Sequence, residues 1–305
     1  KPQRRISSYD LPDGQAKIGM LSNAIAESST ANGYNSSAAG VNSTAIGVSS
    51  IASGEASTAT GSGANATGIW STATGASSSA TQLKSTATGV SSSASGISST
   101  ANGYYSRASA ENSTAIGVSS NAAGTNSTAT GMGAYAAGIS STATGNGSSA
   151  SALNSTAIGA GSSAYGSDST ATGRSAYAAG ISSTAYGSSS QATGNYSTAN
   201  GRSSYASGEE STATGYLAQA TEYRATATGV NSNATGYQAT ATGVNSLASM
   251  ESSTANGFDS NATGNYSTAT GASSRARGIQ STATGNDAQA TAESSTATGY
   301  GSRAT

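Results

Sequence analysis

From Ser22 to Thr305 the chain keeps one seven-residue frame without insertion or deletion, and the third place of that frame is alanine from Ala24 to Ala304. The first, third and fifth places are small, being Ser or Ala, then Ala, then mostly Gly, while the second and fourth are larger and often β-branched. Alternation with period two is the pattern of a strand, and apolar spacings of three and four are absent, so no helix is predicted. Glycine recurs at seven rather than at three, which excludes a collagen helix. Five residues of strand and two of turn fit each unit.

Two kinds of unit alternate, so the true period is fourteen. One always carries threonine in the second place, as in Ser43-Thr44-Ala45-Ile46-Gly47; the other never does. A repeat of this length, with each strand pairing with its equivalent one period on, predicts an all-β fold: a parallel β-solenoid of 14-residue coils, each with two short strands. Its interior is built of alanine and serine, so the two sheets must approach more closely than the usual ~10 Å. Twenty such coils at ~4.8 Å give a rod on the order of 95 Å long. The expected organisation is an N-terminal extension or cap over 1–21, holding both prolines, and a single repeat domain over 22–305.

Glycine in the fifth place marks the turns. It is present in every threonine-bearing unit from Gly33 to Gly299, whereas the other unit has Ala26, Gln82, Ala110, Ala152, Glu222, Met250 and Ala292 there. The two turns are therefore expected to differ, the second being the less demanding.

The outer faces differ too. In the threonine-bearing strand the second place is Thr throughout: Thr30, Thr44, Thr58, Thr72, Thr86, Thr100, Thr114, Thr128, Thr142, Thr156, Thr170, Thr184, Thr198, Thr212, Thr226, Thr240, Thr254, Thr268, Thr282 and Thr296. Its fourth place is mostly Thr, with Asn, Tyr186 and the isoleucines Ile46, Ile116 and Ile158. The sister strand drifts. Strand propensity alone explains a liking for Thr but not its absence from the second place of the sister strand. Self-association through a fixed face explains both, and gives exposed isoleucines a partner. Ice binding by Thr-x-Thr rows, such as Thr58-Ala59-Thr60, is a further reading, as is a purely structural spacer.

Composition narrows the chemistry. Leu, Ile, Val and Phe number only 25 of 305 residues, which leaves too little for a large globular core, while a net charge of -1 and an unbroken frame argue against disorder. Twelve Lys and Arg form no footprint for nucleic acid or an anionic membrane. With no His and no Cys, the commonest general base and the soft metal ligands are missing, so no enzyme, cofactor or metal site is expected. The acidic residues fall mostly in turn places, as Glu27, Glu55, Glu111, Glu251 and Glu293 do. No stretch approaches the apolar length of a membrane-spanning helix. The last residues stop in mid-repeat, as expected for a piece of a longer chain.

The pentapeptides Ser43-Thr44-Ala45-Ile46-Gly47, Ser113-Thr114-Ala115-Ile116-Gly117 and Ser155-Thr156-Ala157-Ile158-Gly159 carry a resemblance. They resemble the Ser-Val-Ala-Ile-Gly core of the fourteen-residue repeat in head domains of YadA-like trimeric autotransporter adhesins of Gram-negative bacteria, with Thr for Val. The resemblance covers about residues 22–305. It implies a left-handed β-roll, a homotrimer, adhesion to host extracellular matrix or host cells, and outer-membrane anchoring through a C-terminal region beyond this chain. The threonines named above, with Ile46, Ile116 and Ile158, would then face the trimer axis.

On the drifting face the large side chains are the candidate ligand contacts: Tyr135, Tyr165, Tyr177 and Tyr205, with Arg107, Arg275 and Arg277. Tyr and Arg are the side chains that binding hot spots favour. Trp70 with Ile69 in a turn is a further candidate.

Overall fold

The computed structural model describes residues 14–305, which fall into two compact units, one ending at Ser151 and the other spanning Ala152–Thr305. The first unit runs from the strand Ala16–Ile18 to Ser149–Ala150, with three-residue strands such as Thr44–Ile46 alternating with two-residue strands such as Ile51–Ala52. The second repeats the alternation from Thr156–Ile158 to Arg303–Ala304. No helix is long and apolar enough to cross a membrane among the described residues.

Every strand pairs in parallel with its equivalent fourteen residues away. In the first unit Thr44, Ala45 and Ile46 face Thr58, Ala59 and Thr60, and Ser79 and Ala80 face Ser93 and Ala94. In the second, Thr226 faces Thr240 and Gln219 faces Asn233. Each unit is thus a parallel β-solenoid of two sheets. The strands are shorter than the five residues the alternation suggested, because the chain bends at the fifth place and only two or three residues per unit keep a pleated ladder.

The interior is as thin as the small residues require. Alanines of the third place, such as Ala115, Ala129 and Ala143, are fully buried, and the largest fully buried side chains are serines of the first place. Strands of the two sheets approach to within 8 Å between Cα atoms. A buried methyl group contributes only ~0.8 kcal/mol, so the ladders of backbone hydrogen bonds, each worth ~0.5–1.5 kcal/mol, carry an unusual share of the stability.

The corners are β-turns closed from the first place back to the fifth, as where the Ser113 N–H donates to the Ala110 carbonyl at 3.3 Å and the Ser113 hydroxyl donates to the same oxygen at 2.6 Å. Every seventh place from Leu21 to Gly301 has a positive φ, close to 55° in Ser119 and 56° in Trp70. That is the left-handed third residue of a type II turn. The turn also joins the ladder: the N–H of Ser119 donates to the carbonyl of Tyr104 at 2.8 Å.

The two corners use glycine differently. After the threonine strand the fifth place has a positive φ, 142° at Gly33 and 122° at Gly117. After the drifting strand it does not, yet a Cβ on Gly40 would lie 2.0 Å from the carbonyl oxygen of Gly54. The second corner is freer in torsion, as expected, but crowded by the next coil.

The ladder also starts before the unbroken alanine frame. Ala16, Lys17 and Ile18 pair with Thr30, Ala31 and Asn32, with Lys17 in the alanine place and exposed on this first coil. The part of the N-terminal extension over 1–13 lies outside the described residues.

Candidate functional site

The threonine strand places its second and fourth side chains on the outer face of one sheet. Nearly all the second-place threonines, from Thr30 to Thr142 in the first unit and from Thr156 to Thr282 in the second, are half-buried against their neighbours in an in-register column; Thr184 and the terminal Thr296 are exposed. Beside that column stand Ile46, Ile116 and Ile158 at 40–43% exposure. Ile116 lies in register between Asn102 and Thr130. The result in each unit is a surface of threonine methyl and hydroxyl groups broken by asparagines and isolated isoleucines, with Tyr186 in the second unit, and no charge. Such a face offers packing and short hydrogen bonds.

The drifting strand behaves otherwise. In the first unit Arg107 pairs in register with Asn121, and Asn121 with Tyr135, so the named Arg and Tyr stand two coils apart. In the second unit Tyr165 and Tyr177 meet edge to face, with centroids 5.7 Å apart at 69°. Tyr177 pairs with Gln191, Gln191 with Tyr205, and Tyr205 with Gln219. Arg275 and Arg277 flank Ala276 and share the face.

The corners hold chemistry that side-chain alternation gave no reason to single out. Every glutamate of the chain lies in the corner that follows a drifting strand: Glu27, Glu55 and Glu111 in the first unit, Glu209, Glu210, Glu222, Glu251 and Glu293 in the second. Arg224 Nε donates to Glu210 at 2.6 Å, with Arg224 over the Tyr223 ring at 4.8 Å, and Tyr223 stacks on Tyr237 at 5.3 Å. That hydrogen bond to Glu210 raises the Arg224 pKa further above its ordinary value. The Tyr266 hydroxyl donates to Glu251 at 2.8 Å, which raises the Tyr266 pKa above the usual phenol value. Trp70, in the first unit, carries Lys84 at 5.4 Å from its ring centroid. All these groups are solvated, and among the described residues no three His, Cys, Asp or Glu side chains come together as a metal site would need.

The fourteen-residue coil, the buried Ser and Ala columns and the invariant threonine face now meet a family model. The model of the YadA head domain repeat, two copies to each match, fits residues 24–64, 80–106, 108–134, 136–162, 164–246, 248–274 and 276–302. The chain belongs to the YadA head family. YadA heads are adhesin domains, and an adhesin-type binding function follows for this chain. Among solved structures, the collagen-binding domain of the Yersinia adhesin YadA is similar at 22% identity over 63% of this chain and 68% of that one, with a TM-score of 0.17. A search of curated proteins finds no match. In the terms of the YadA head repeat, the sequence-named threonines and isoleucines occupy one outer face, and the named tyrosines and arginines the other.

Proposed function

We propose that this YadA-type head works as a homotrimer on the bacterial surface, held by an outer-membrane anchor in another part of the parent protein, and that its drifting face binds host extracellular matrix or host cells without catalysis. The carrying observation is the contrast between the two faces. A threonine column that never varies, with Ile46, Ile116 and Ile158 open to solvent beside it, has the character of a surface that meets a fixed partner. Three copies meeting there would bury area that Ala and Ser interiors cannot supply. The face left outside would be the one bearing Tyr135, Tyr165, Tyr177, Tyr205, Arg107, Arg275 and Arg277, where Tyr and Arg suit contact with a protein ligand. Multiplying weak contacts over three chains raises avidity without any deep pocket. The similar Yersinia domain is a collagen-binding one, so collagen is the first matrix protein to try.

Light scattering on the purified chain tests the assembly: a mass three times 29.1 kDa is expected, and a folded monomer at micromolar concentration overturns it. Replacing Thr114, Thr128 and Thr142 together by Lys should break the trimer through buried like charges. Solid-phase binding to collagen, fibronectin and laminin tests the adhesion.

A further inference from the structure

In the second unit the corner that follows the drifting strand carries an ordered column. On successive coils its sixth-place residues are Asn195, Glu209, Tyr223, Tyr237, Glu251 and Asn265, a series that reads the same from either end. The Tyr223 and Tyr237 rings at its middle stack with centroids 5.3 Å apart and planes 25° from parallel, so each covers one face of the other. Their outer faces are unlike. Arg224 stands over Tyr223, its guanidinium carbon 4.8 Å from the ring centroid, and its Nε donates to Glu210 of the preceding coil at 2.6 Å. Ring, guanidinium and carboxylate thus follow one another away from the stack. Tyr237 turns its outer face toward the coil of Glu251, and the only other cation between residues 195 and 266, Arg202, lies over Tyr216 in the opposite corner. Tyr223, covered on both faces, is half-buried, whereas Tyr237 keeps 46% of its surface exposed.

A carboxylate stands on this side of the stack too. Glu251 follows Tyr237 in the column, and the Tyr266 hydroxyl, one coil beyond, donates to its Oε1 at 2.8 Å. That bond holds the carboxylate from the side away from Tyr237 and leaves Oε2 to accept from another donor. Neighbouring coils lie ~4.8 Å apart, so a carboxylate on one coil reaches a cation lying on the ring of the next, as Glu210 does for Arg224.

The Arg224 side of the stack shows what the Tyr237 side suits. A planar guanidinium lies flat on a phenol ring while its edge donates to a carboxylate, two contacts that a compact ammonium does not make at once. A single carboxylate is too few for a hard metal ion, which takes about six oxygen ligands or more, and no three acidic side chains gather among the described residues. The charge of the corner favours a cationic visitor, since Glu209, Glu210, Glu222 and Glu251 stand against Arg224 alone.

We infer that Tyr237, Glu251 and Tyr266 form a site for an arginine side chain of a partner protein, with the guanidinium lying on Tyr237 and donating to Glu251, which Tyr266 holds in place. The site belongs to the corner rather than to the drifting face, and it stands whether or not that face binds matrix.

The test uses the whole chain with carbon-labelled tyrosine and three blocked tripeptides, Gly-Arg-Gly, Gly-Lys-Gly and Gly-citrulline-Gly, titrated to millimolar concentration and followed by NMR. The arginine peptide should shift the Tyr237 and Tyr266 resonances saturably, the lysine peptide should bind about threefold more weakly or worse, and the uncharged citrulline peptide should have no effect. Tyr237→Leu removes the ring and keeps an apolar side chain; Glu251→Gln removes the charge and keeps an acceptor for Tyr266. Each should weaken arginine binding about fivefold or more, read on the tyrosine that remains. Glu293→Gln, in the same corner but away from any ring, and Tyr165→Leu, on the drifting face, should leave it unchanged. Arg224→Gln uncovers the outer face of Tyr223 and should add Tyr223 to the resonances that shift.

The inference fails if the arginine peptide shifts neither Tyr237 nor Tyr266, or if the lysine peptide binds as tightly. It fails equally if Tyr237→Leu and Glu251→Gln bind like the native chain, or if Arg224→Gln adds nothing at Tyr223.

Discussion

A Cβ placed on Gly96 would lie 1.9 Å from the carbonyl oxygen of Ala110, one coil further on. The same holds along this corner, as for Gly180 and the carbonyl of Gly194 at 1.9 Å, yet Ala26, Gln82, Ala110, Ala152, Glu222 and Met250 carry side chains in this place. In each of these cases the following coil has glycine: Gly40, Gly96, Gly124, Gly166, Gly236 and Gly264. A Cβ in this place falls so close to the next coil's carbonyl that the peptides must move to admit it. A glycine next along the stack can yield to that movement because it has no Cβ of its own to drive into the coil beyond it.

Spacing rather than residue type should thus govern this corner. Gly96→Ala puts three side chains in succession, at 82, 96 and 110, and should cost about 1–3 kcal/mol as an overpacked site does. Gly180→Ala, set between Gly166 and Gly194, follows the natural pattern and should cost clearly less. Denaturant unfolding of the two variants compares them, and equal losses would refute the rule.

The seventh place sets a different condition. Its positive φ bars β-branched residues, and although threonine abounds in this chain, no Thr, Val or Ile stands there from Leu21 to Gly301. Ser119→Val should lower stability by about 1–2 kcal/mol, while Ser119→Gly should be neutral or slightly stabilising. Thermal unfolding distinguishes them; a valine variant as stable as the native chain would contradict the torsional account.

At the second unit's corner the Tyr266 hydroxyl donates to Glu251, and its pKa is raised. The bond needs the protonated phenol. Its contribution is therefore complete below the unfolded tyrosine pKa of about 10 and is lost as pH rises through the higher folded value. Carbon-labelled tyrosine NMR should find Tyr266 ionising at higher pH than in the Glu251→Ala variant. No difference between the two would remove the interaction from solution.

The coil, its period and its two unlike faces were legible because they rest on side-chain size, which a sequence shows directly: alanine at every third place leaves room for nothing but a thin interior. What could not be read was backbone geometry. Asn35, Trp70, Lys84 and Tyr105 share no chemistry, so nothing but the missing β-branched residues could have pointed to their common positive φ. The five-residue strand was an overestimate for the same reason, since fifth-place residues continue the size alternation while the chain is already turning. The pairing of Tyr165 with Tyr177 followed from counting coils; the Tyr223–Arg224–Glu210 cluster needed the corner's shape, which turns successive side chains toward one another.

Two serines in the same structural place give the last prediction. Ser113 donates to the Ala110 carbonyl at 2.6 Å, whereas the Ser127 hydroxyl, one coil along and fully buried, has no hydrogen-bond partner. Ser43, Ser71 and Ser141 share the condition of Ser127, and all four follow a glycine in the fifth place, Gly40, Gly68, Gly124 and Gly138. The serines after a side-chain-bearing residue, Ser85, Ser113 and Ser155, reach its carbonyl at 2.6–2.7 Å, as Ser57, Ser99 and Ser197 do after a glycine. Removing a satisfied hydroxyl leaves a carbonyl short of a donor, so Ser113→Ala should cost ~0.5–1.5 kcal/mol. Removing an unsatisfied one relieves a buried polar group, so Ser127→Ala should be neutral or stabilising. The chain already holds Ala225 and Ala239 in this place, which shows that the coil forms without the hydroxyl. Equilibrium unfolding of both variants decides the matter, and a loss at Ser127 as large as at Ser113 would mean that its hydroxyl finds a partner in solution.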